Sequence, residues 1–184
     1  RLIADSPVIV FQAFMPADYT VAAELWKTDG TTGGTALLKD INPGQDPFED
    51  FMNPGGPRSS YPQQFFPLGN GRMIFSATDS ANGAELWVTD GTLAGTSLVK
   101  DIRLGTNGSW PARSTRLNNE QVVLSAENDE AGSELWITDG TAAGTSLLKD
   151  INAGAQGSFM EGFVQLAANK VVFMAYTSTA GREL

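Results

Sequence analysis

Short apolar runs alternate with turn residues along the whole chain. One block reads "QQFFPL" (63–68), "RMIFSAT" (72–78), "ELWVTD" (85–90) and "TSLVKDI" (96–102), with polar connections between the runs. No ten-residue stretch has apolar positions at the spacing of a helix. Val, Ile, Thr and aromatic residues fill the runs, as is typical of strands. The pattern therefore predicts an all-β chain in which each block supplies four short strands.

The block repeats with a period near 49 residues. Its most regular run begins at Glu24, Glu85, Glu134 and Glu183, so the separations are 61, 49 and 49 residues. The longer first interval contains "QDPFEDFMNPGGPRSS", whose Pro, Gly and Ser content predicts a loop. We therefore divide a single β-repeat domain, 1–184, into unit 1 (1–62, with an insertion loop at 45–60), unit 2 (63–111), unit 3 (112–157) and a partial unit 4 (158–184).

A four-stranded antiparallel sheet of this size cannot bury both of its faces by itself, so the units must stack on one another. Radial stacking predicts a β-propeller-like array of four-stranded blades, of which about 3.5 are present. A β-sandwich is the alternative arrangement. The chain starts in a strand-like run, and we expect it to be part of a longer protein.

The repeated "TDGTxxGT" predicts a tight hairpin between the third and fourth strands. Asp29 can accept hydrogen bonds from the turn, and Gly30 can supply a positive φ. A calcium loop is the functional alternative, although one carboxylate per loop is too few for a strong site. The equivalent residues are Asp90 and Gly91 in the second copy, and Asp139 and Gly140 in the third.

Strand alternation also predicts a register for this hairpin. If Thr28 pairs with Thr35, Trp26 lies across from Leu37 and Glu24 across from Lys39, an opposite-charge pair. The recurring tryptophan is expected to pack between neighbouring sheets, with a sugar platform as the alternative. Trp87 and Trp136 are the equivalent tryptophans in the second and third copies. The same register pairs Glu85 with Lys100 and Glu134 with Lys149.

Other side chains are candidates for binding. Trp110 lies outside the repeated motif, in the loop "NGSWPAR", and Phe48 and Phe51 lie in the insertion loop. These aromatic residues are the expected anchors for a protein or glycan partner. No other cofactor is expected, but the acidic loop "ENDE" could hold a weakly bound calcium ion through Glu127, Asp129 and Glu130.

Composition excludes several functions. The net charge of −9 argues against nucleic acid as a partner, and no apolar run is long enough to span a membrane. The chain has no Cys and no His, which removes thiolate chemistry and His-dependent catalytic triads. The remaining enzymatic alternative is a glycoside hydrolase that uses two carboxylates. Acids that occur only once, such as Glu49, Asp50 and Glu161, would then be the candidates.

The strings "ELWKTDGTTGGT", "ELWVTDGTLAGT" and "ELWITDGTAAGT" resemble the ELWxxDGT repeat family of bacterial proteins. The resemblance implies an exported array at the cell surface, outside the cell or in the periplasm, with no established catalytic residues. We therefore expect a non-catalytic scaffold or binding module that presents loops to a protein or glycan. The alternative is a structural subunit of a large membrane-associated or filamentous assembly.

Overall fold

The computed structural model describes residues 8–13, 23–45, 49–50, 53–54 and 56–184. Their regular elements are all strands, and these form four antiparallel sheets of three or four strands and one two-stranded hairpin. The prediction of an all-β chain is confirmed for this part of the protein. Within it, no helix is long and apolar enough to cross a membrane.

Each sheet is a meander, so strands adjacent in sequence are adjacent in space. The first sheet contains β1 (Ile9–Ala13), β2 (Glu24–Thr28) and β3 (Ala36–Lys39). A two-stranded hairpin follows, β4 (Glu49–Asp50) with β5 (Asn53–Pro54). The second sheet contains β6 (Gln63–Pro67), β7 (Met73–Asp79), β8 (Gly83–Thr89) and β9 (Ser97–Lys100). The third contains β10 (Ala112–Arg116), β11 (Val122–Asn128), β12 (Gly132–Thr138) and β13 (Ser146–Lys149), and the fourth β14 (Glu161–Ala167), β15 (Lys170–Thr177) and β16 (Gly181–Glu183).

The insertion at 45–60 contains more structure than the predicted loop. Its ends are joined by a bridge between Gln45 and Pro57, and β4 pairs with β5 inside it. The prediction of a loop is therefore wrong for these paired residues. The physical reason is that a long connection must satisfy its own backbone groups, and a small hairpin does so locally.

The register between the last two strands is partly as predicted. Trp26 pairs with Leu37, as expected, but Lys39 pairs with Leu25 because Leu38 is an extra residue in a β-bulge. The predicted pair of Glu24 with Lys39 is therefore wrong. Lys39 instead donates a 2.7 Å hydrogen bond to the Thr96 carbonyl of the second sheet. The other two predicted Glu–Lys pairs fail for the same reason, since Lys100 pairs with Leu86 and Lys149 with Leu135.

The core lies between successive sheets. Leu86 on β8 packs between the second and third sheets, whereas its neighbour Trp87 packs between the first and second. Alternate side chains of one strand thus enter two different clusters, as the pleat of a strand requires. Trp136 on β12 repeats the role of Trp87 one sheet later, and Leu135 enters the cluster shared with the fourth sheet.

Candidate functional site at the joints between sheets

The segments that link one sheet to the next are called joints here: 40–62, 101–111 and 150–160. Glu85 on β8 is fully buried and holds both ends of the second joint. Its Oε2 accepts from the Ile102 amide (3.0 Å) and the Ser109 hydroxyl (2.5 Å). Its Oε1 accepts from the amides of Ser109 (3.0 Å) and Arg103 (3.2 Å). The carboxylate therefore ties the start of the joint to its end.

The other two joints are tied in the same way. Glu24 accepts from the Ile41 amide (2.9 Å) and from the amide and hydroxyl of Ser60 (2.8 and 2.5 Å). Glu134 accepts from the Ile151 and Asn152 amides (2.9 and 3.3 Å) and the Ser158 hydroxyl (2.8 Å). The serines stand 49 residues apart, at Ser60, Ser109 and Ser158. The regular spacing of these serines is the sequence signal that they bind the motif glutamates, which strand alternation alone does not predict.

These glutamates are arranged for holding the chain together. Burial raises the pKa of Glu24 and of Glu85 above the ordinary value of 4.5, and the serine hydroxyls oppose the shift only in part. Protein donors occupy both oxygens of each carboxylate. A carboxylate used in this way stabilises a buried polar network, and its removal leaves several donors without acceptors.

At the other end of each sheet, the aspartate of the motif closes the predicted hairpin. Asp90 Oδ1 accepts from the amide and the hydroxyl of Thr92 at 2.8 and 2.7 Å. Gly91 has φ 86°, as the turn requires. The hydrogen bond from the Thr92 hydroxyl lowers the pKa of Asp90 below 3.8. Asp29 with Gly30 and Asp139 with Gly140 repeat this geometry and the direction of the pKa shift.

The tryptophans of the motif belong to the interior. Trp87 and Trp136 are only 6% and 5% exposed, within the clusters between sheets. Lys39 places its Nζ 5.9 Å from the ring centroid of Trp87, so the first sheet covers this ring. Trp26 is half-buried on β2. Rings that are covered on both sides cannot serve as sugar platforms, so packing accounts for Trp87 and Trp136.

Trp110 is exposed, unlike Trp87 and Trp136, and aromatic residues hold the equivalent positions in the other two joints. It follows Ser109 directly, just as Tyr61 follows Ser60 and Phe159 follows Ser158. These three residues, called the aromatic row here, are 59%, 51% and 61% exposed, respectively. All have left-handed backbones, with φ 49°, 46° and 46°. Such a conformation is strained for a bulky side chain, at a cost of about 1–3 kcal/mol.

The aromatic row lies along one end of the sheets. In the second joint, the Trp110 amide donates to the Ala84 carbonyl of the second sheet (3.1 Å), and the Ser109 carbonyl accepts from the Glu127 amide of the third (2.8 Å). The first joint repeats this arrangement, with Tyr61 bound to the Ala23 carbonyl. The row therefore shares its end with the hairpins between second and third strands, and the "TDGT" hairpins occupy the opposite end.

The acidic loop is already paired with a cation from the second joint. Arg103 donates from Nη1 to Glu127 Oε1 at 2.6 Å and from Nε to Asp129 Oδ1 at 2.7 Å. Glu130 is exposed next to them. Among the residues that the structure describes, no group of three or more acidic side chains is placed to hold a metal ion. Calcium binding by Glu127, Asp129 and Glu130 stays a prediction. A calcium ion there would have to displace Arg103 from Glu127 and Asp129.

The remaining candidates are scattered. Phe48 and Phe51 lie outside the described residues. Glu49 and Asp50 form β4, and Glu161 begins β14, where its Oε2 is 3.3 Å from Nη1 of Arg182. No protein-family model matches the chain, and no curated protein is significantly similar to it.

Proposed function

We propose that this chain is a non-catalytic, exported repeat scaffold whose exposed loops bind a protein or glycan partner. The observation that carries the proposal is that the repeated side chains have structural roles. The motif glutamates bind the joints, the aspartates close the hairpins, and two of the three motif tryptophans fill the core. The repeated letters are therefore used to build and stack sheets, which leaves the variable loops free for binding.

We also propose that the sheets form a propeller-like array. The support is that first strands approach one another, β6 next to β10 and β10 next to β14. Arg116 on β10 donates to the carbonyls of Pro67 and Leu68, and Gln165 on β14 donates to the carbonyl of Leu117. Sheets that meet repeatedly along their first strands and bury a cluster at every interface stack like blades.

The proposal is tested by separating binding from stability. Exposed side chains of the joints should affect partner binding without changing the melting temperature. Residues of the "TDGT" hairpins should affect the melting temperature without changing the affinity of the folded protein. An exposed joint side chain whose replacement lowers the melting temperature but leaves binding unchanged would contradict the proposal, as would hydrolysis of a bound glycan.

A structural subunit of a larger assembly is the second candidate. Leu148 on β13 is 47% exposed, whereas its equivalents Leu38 and Val99 are buried against the following sheet, so this face is shaped to be covered by a further sheet or a partner. The mass of the native particle, measured by light scattering, separates the two candidates. A chain near 20 kDa inside a much larger particle would support the subunit, whereas a particle no larger than its own chain would support a self-contained binding module.

A further inference from the structure

The aromatic row is the most unusual surface of the described chain. Tyr61, Trp110 and Phe159 each expose more than half of their surface, and each stands in a backbone conformation that disfavours bulky residues. Each is fixed by the preceding serine, whose side chain binds a buried glutamate. A left-handed backbone recurs three residues later at Gln64, Arg113 and Gly162, so the conformation belongs to the repeated turn, and the exposure of a large ring within it is what points to binding. A large exposed ring at such a position contributes little to the core, which leaves binding as its role.

We infer that the aromatic row binds a neutral polysaccharide, with one sugar-stacking ring supplied by each joint. This inference rests on the proposed binding function and names its ligand class. A sugar ring has a flat face of C–H bonds, which suits an exposed aromatic ring, and a rim of hydroxyls, which suits polar neighbours. Three similar rings, repeated once per sheet along one end, match a ligand that is itself a chain of similar units.

The joints that carry the row also carry the polar groups that hydroxyls need. Arg103 of the second joint forms an ion pair with Asp129, and Arg58 of the first joint donates to the Ser80 hydroxyl (3.2 Å). Near the third joint, Phe159 meets Tyr176 edge to face, with ring centroids 6.3 Å apart. A sugar needs both hydrogen-bond donors and hydrogen-bond acceptors near the aromatic face on which it stacks.

Two observations favour a neutral polysaccharide over other polymers. The net charge of −9 repels acidic polysaccharides and nucleic acids. The three rings come from three separate joints, whereas the centre of a protein interface is a continuous apolar patch. A protein partner is accordingly the second outcome of the test below.

The test uses the 184-residue chain and four neutral probes: cellohexaose, hexa-N-acetylchitohexaose, laminarihexaose and maltohexaose. Trp110 is the most exposed of the four tryptophans, so its fluorescence should change when a probe binds. The main variant is Trp110→Asn, since Asn tolerates the left-handed backbone. Leu93→Ala is the matched control, because Leu93 is 63% exposed in the hairpin at the opposite end.

We expect at least one probe to bind, and Trp110→Asn to weaken it about two- to tenfold, which is the range for one lost aromatic contact. The triple variant Tyr61→Asn/Trp110→Asn/Phe159→Asn should abolish binding, and Leu93→Ala should leave it unchanged. The melting temperature of Trp110→Asn should stay the same or rise, because the strain is relieved. If the Trp110 ring had a purely structural role, Trp110→Asn would lower the melting temperature.

Failure of all four probes at about 1 mM, a concentration that detects weak binding, would overturn the inference. Binding that survives in the triple variant would also overturn it. If the triple variant instead lost a protein partner, the row would be a protein-docking surface, and the proposed scaffold function would stand. Release of shorter sugars from a probe would contradict the non-catalytic function while leaving the binding site in place.

Discussion

Glu85 lies near the start of β8 and Asp90 directly follows its last residue, and both recur in each of units 1 to 3, yet their surroundings are opposite. Glu85 is fully buried and accepts from residues 17 to 24 positions away in the chain. Asp90 is exposed and accepts from Thr92, two residues away. Burial raises the pKa of the first, and local hydrogen bonds lower the pKa of the second.

The comparison shows that equal regularity in sequence can conceal two kinds of structural role. The Asp90 hairpin is a local unit, so it needs nothing from the rest of the protein beyond the strands that it joins. The Glu85 joint is long-range, because its donors come from a segment that must first pack between two sheets. We therefore expect the two ends of each sheet to respond differently to substitution, glycine replacement, pH and calcium.

The largest difference should appear on removing the carboxylates. Glu85→Ala leaves the amides of Ile102 and Ser109 buried without acceptors, and we expect a loss of about 3 kcal/mol in unfolding free energy. Asp90→Ala frees donors that water can reach, with an expected loss of about 1 kcal/mol. Urea unfolding measures both. Equal losses at the two positions would remove the distinction between the ends.

The hairpin itself should be sensitive at a glycine. A Cβ on Gly95 would overlap the Asp90 carboxylate, so we expect Gly95→Ala to cost about 1–2 kcal/mol of unfolding free energy. Gly33→Ala is the matched control, because a Cβ there meets nothing within 4 Å and the second and third copies already have Ala94 and Ala143. Thermal unfolding that ranks these two variants in the opposite order would contradict the geometry of the turn.

The two carboxylates should give opposite slopes of stability against pH. The pKa of Glu85 is raised above 4.5 by folding, so the folded state holds more protons there, and stability falls as the pH rises through the folded pKa. The pKa of Asp90 is lowered below 3.8, so its contribution is present above that pH and is lost as the pH falls through the folded pKa.

Unfolding free energies measured between about pH 2 and 8 check the two signs. Glu85→Gln should flatten the decline above pH 4.5, and Asp90→Asn should flatten the loss below pH 3.8. The assignment would be wrong if Glu85→Gln changed the slope below pH 3.8, or if Asp90→Asn changed the slope above pH 4.5.

The smallest effect should come from calcium. Because Arg103 already binds Glu127 and Asp129, we expect added calcium to shift the melting temperature of the wild-type protein by less than about 1 °C. Arg103→Ala frees both carboxylates and is the matched variant. A rise of several degrees in the wild type, reversed by a chelator, would show that the acidic loop holds calcium in preference to Arg103.

The sequence was informative where contacts are short-range. The strands of the second and third sheets, the Asp90 turn and the Trp26–Leu37 pair all follow from alternation and turn chemistry over a few residues. The Glu24–Lys39 pair failed because alternation cannot detect a bulge at Leu38. The aromatic row could be read from the spacing of Tyr61, Trp110 and Phe159, but only the structure shows that these rings are exposed and strained.

The repeat, the strands and the local hairpins follow from the order of residues along the chain, because each depends on residues a few positions apart. The packing of one sheet on the next makes the motif glutamates buried acceptors, directs Leu86 and Trp87 into different cores, and brings the aromatic row to one end of the sheets. These features arise where one sheet packs on the next. The partners there are separated by a joint, and no periodicity within a single strand encodes how that joint folds back.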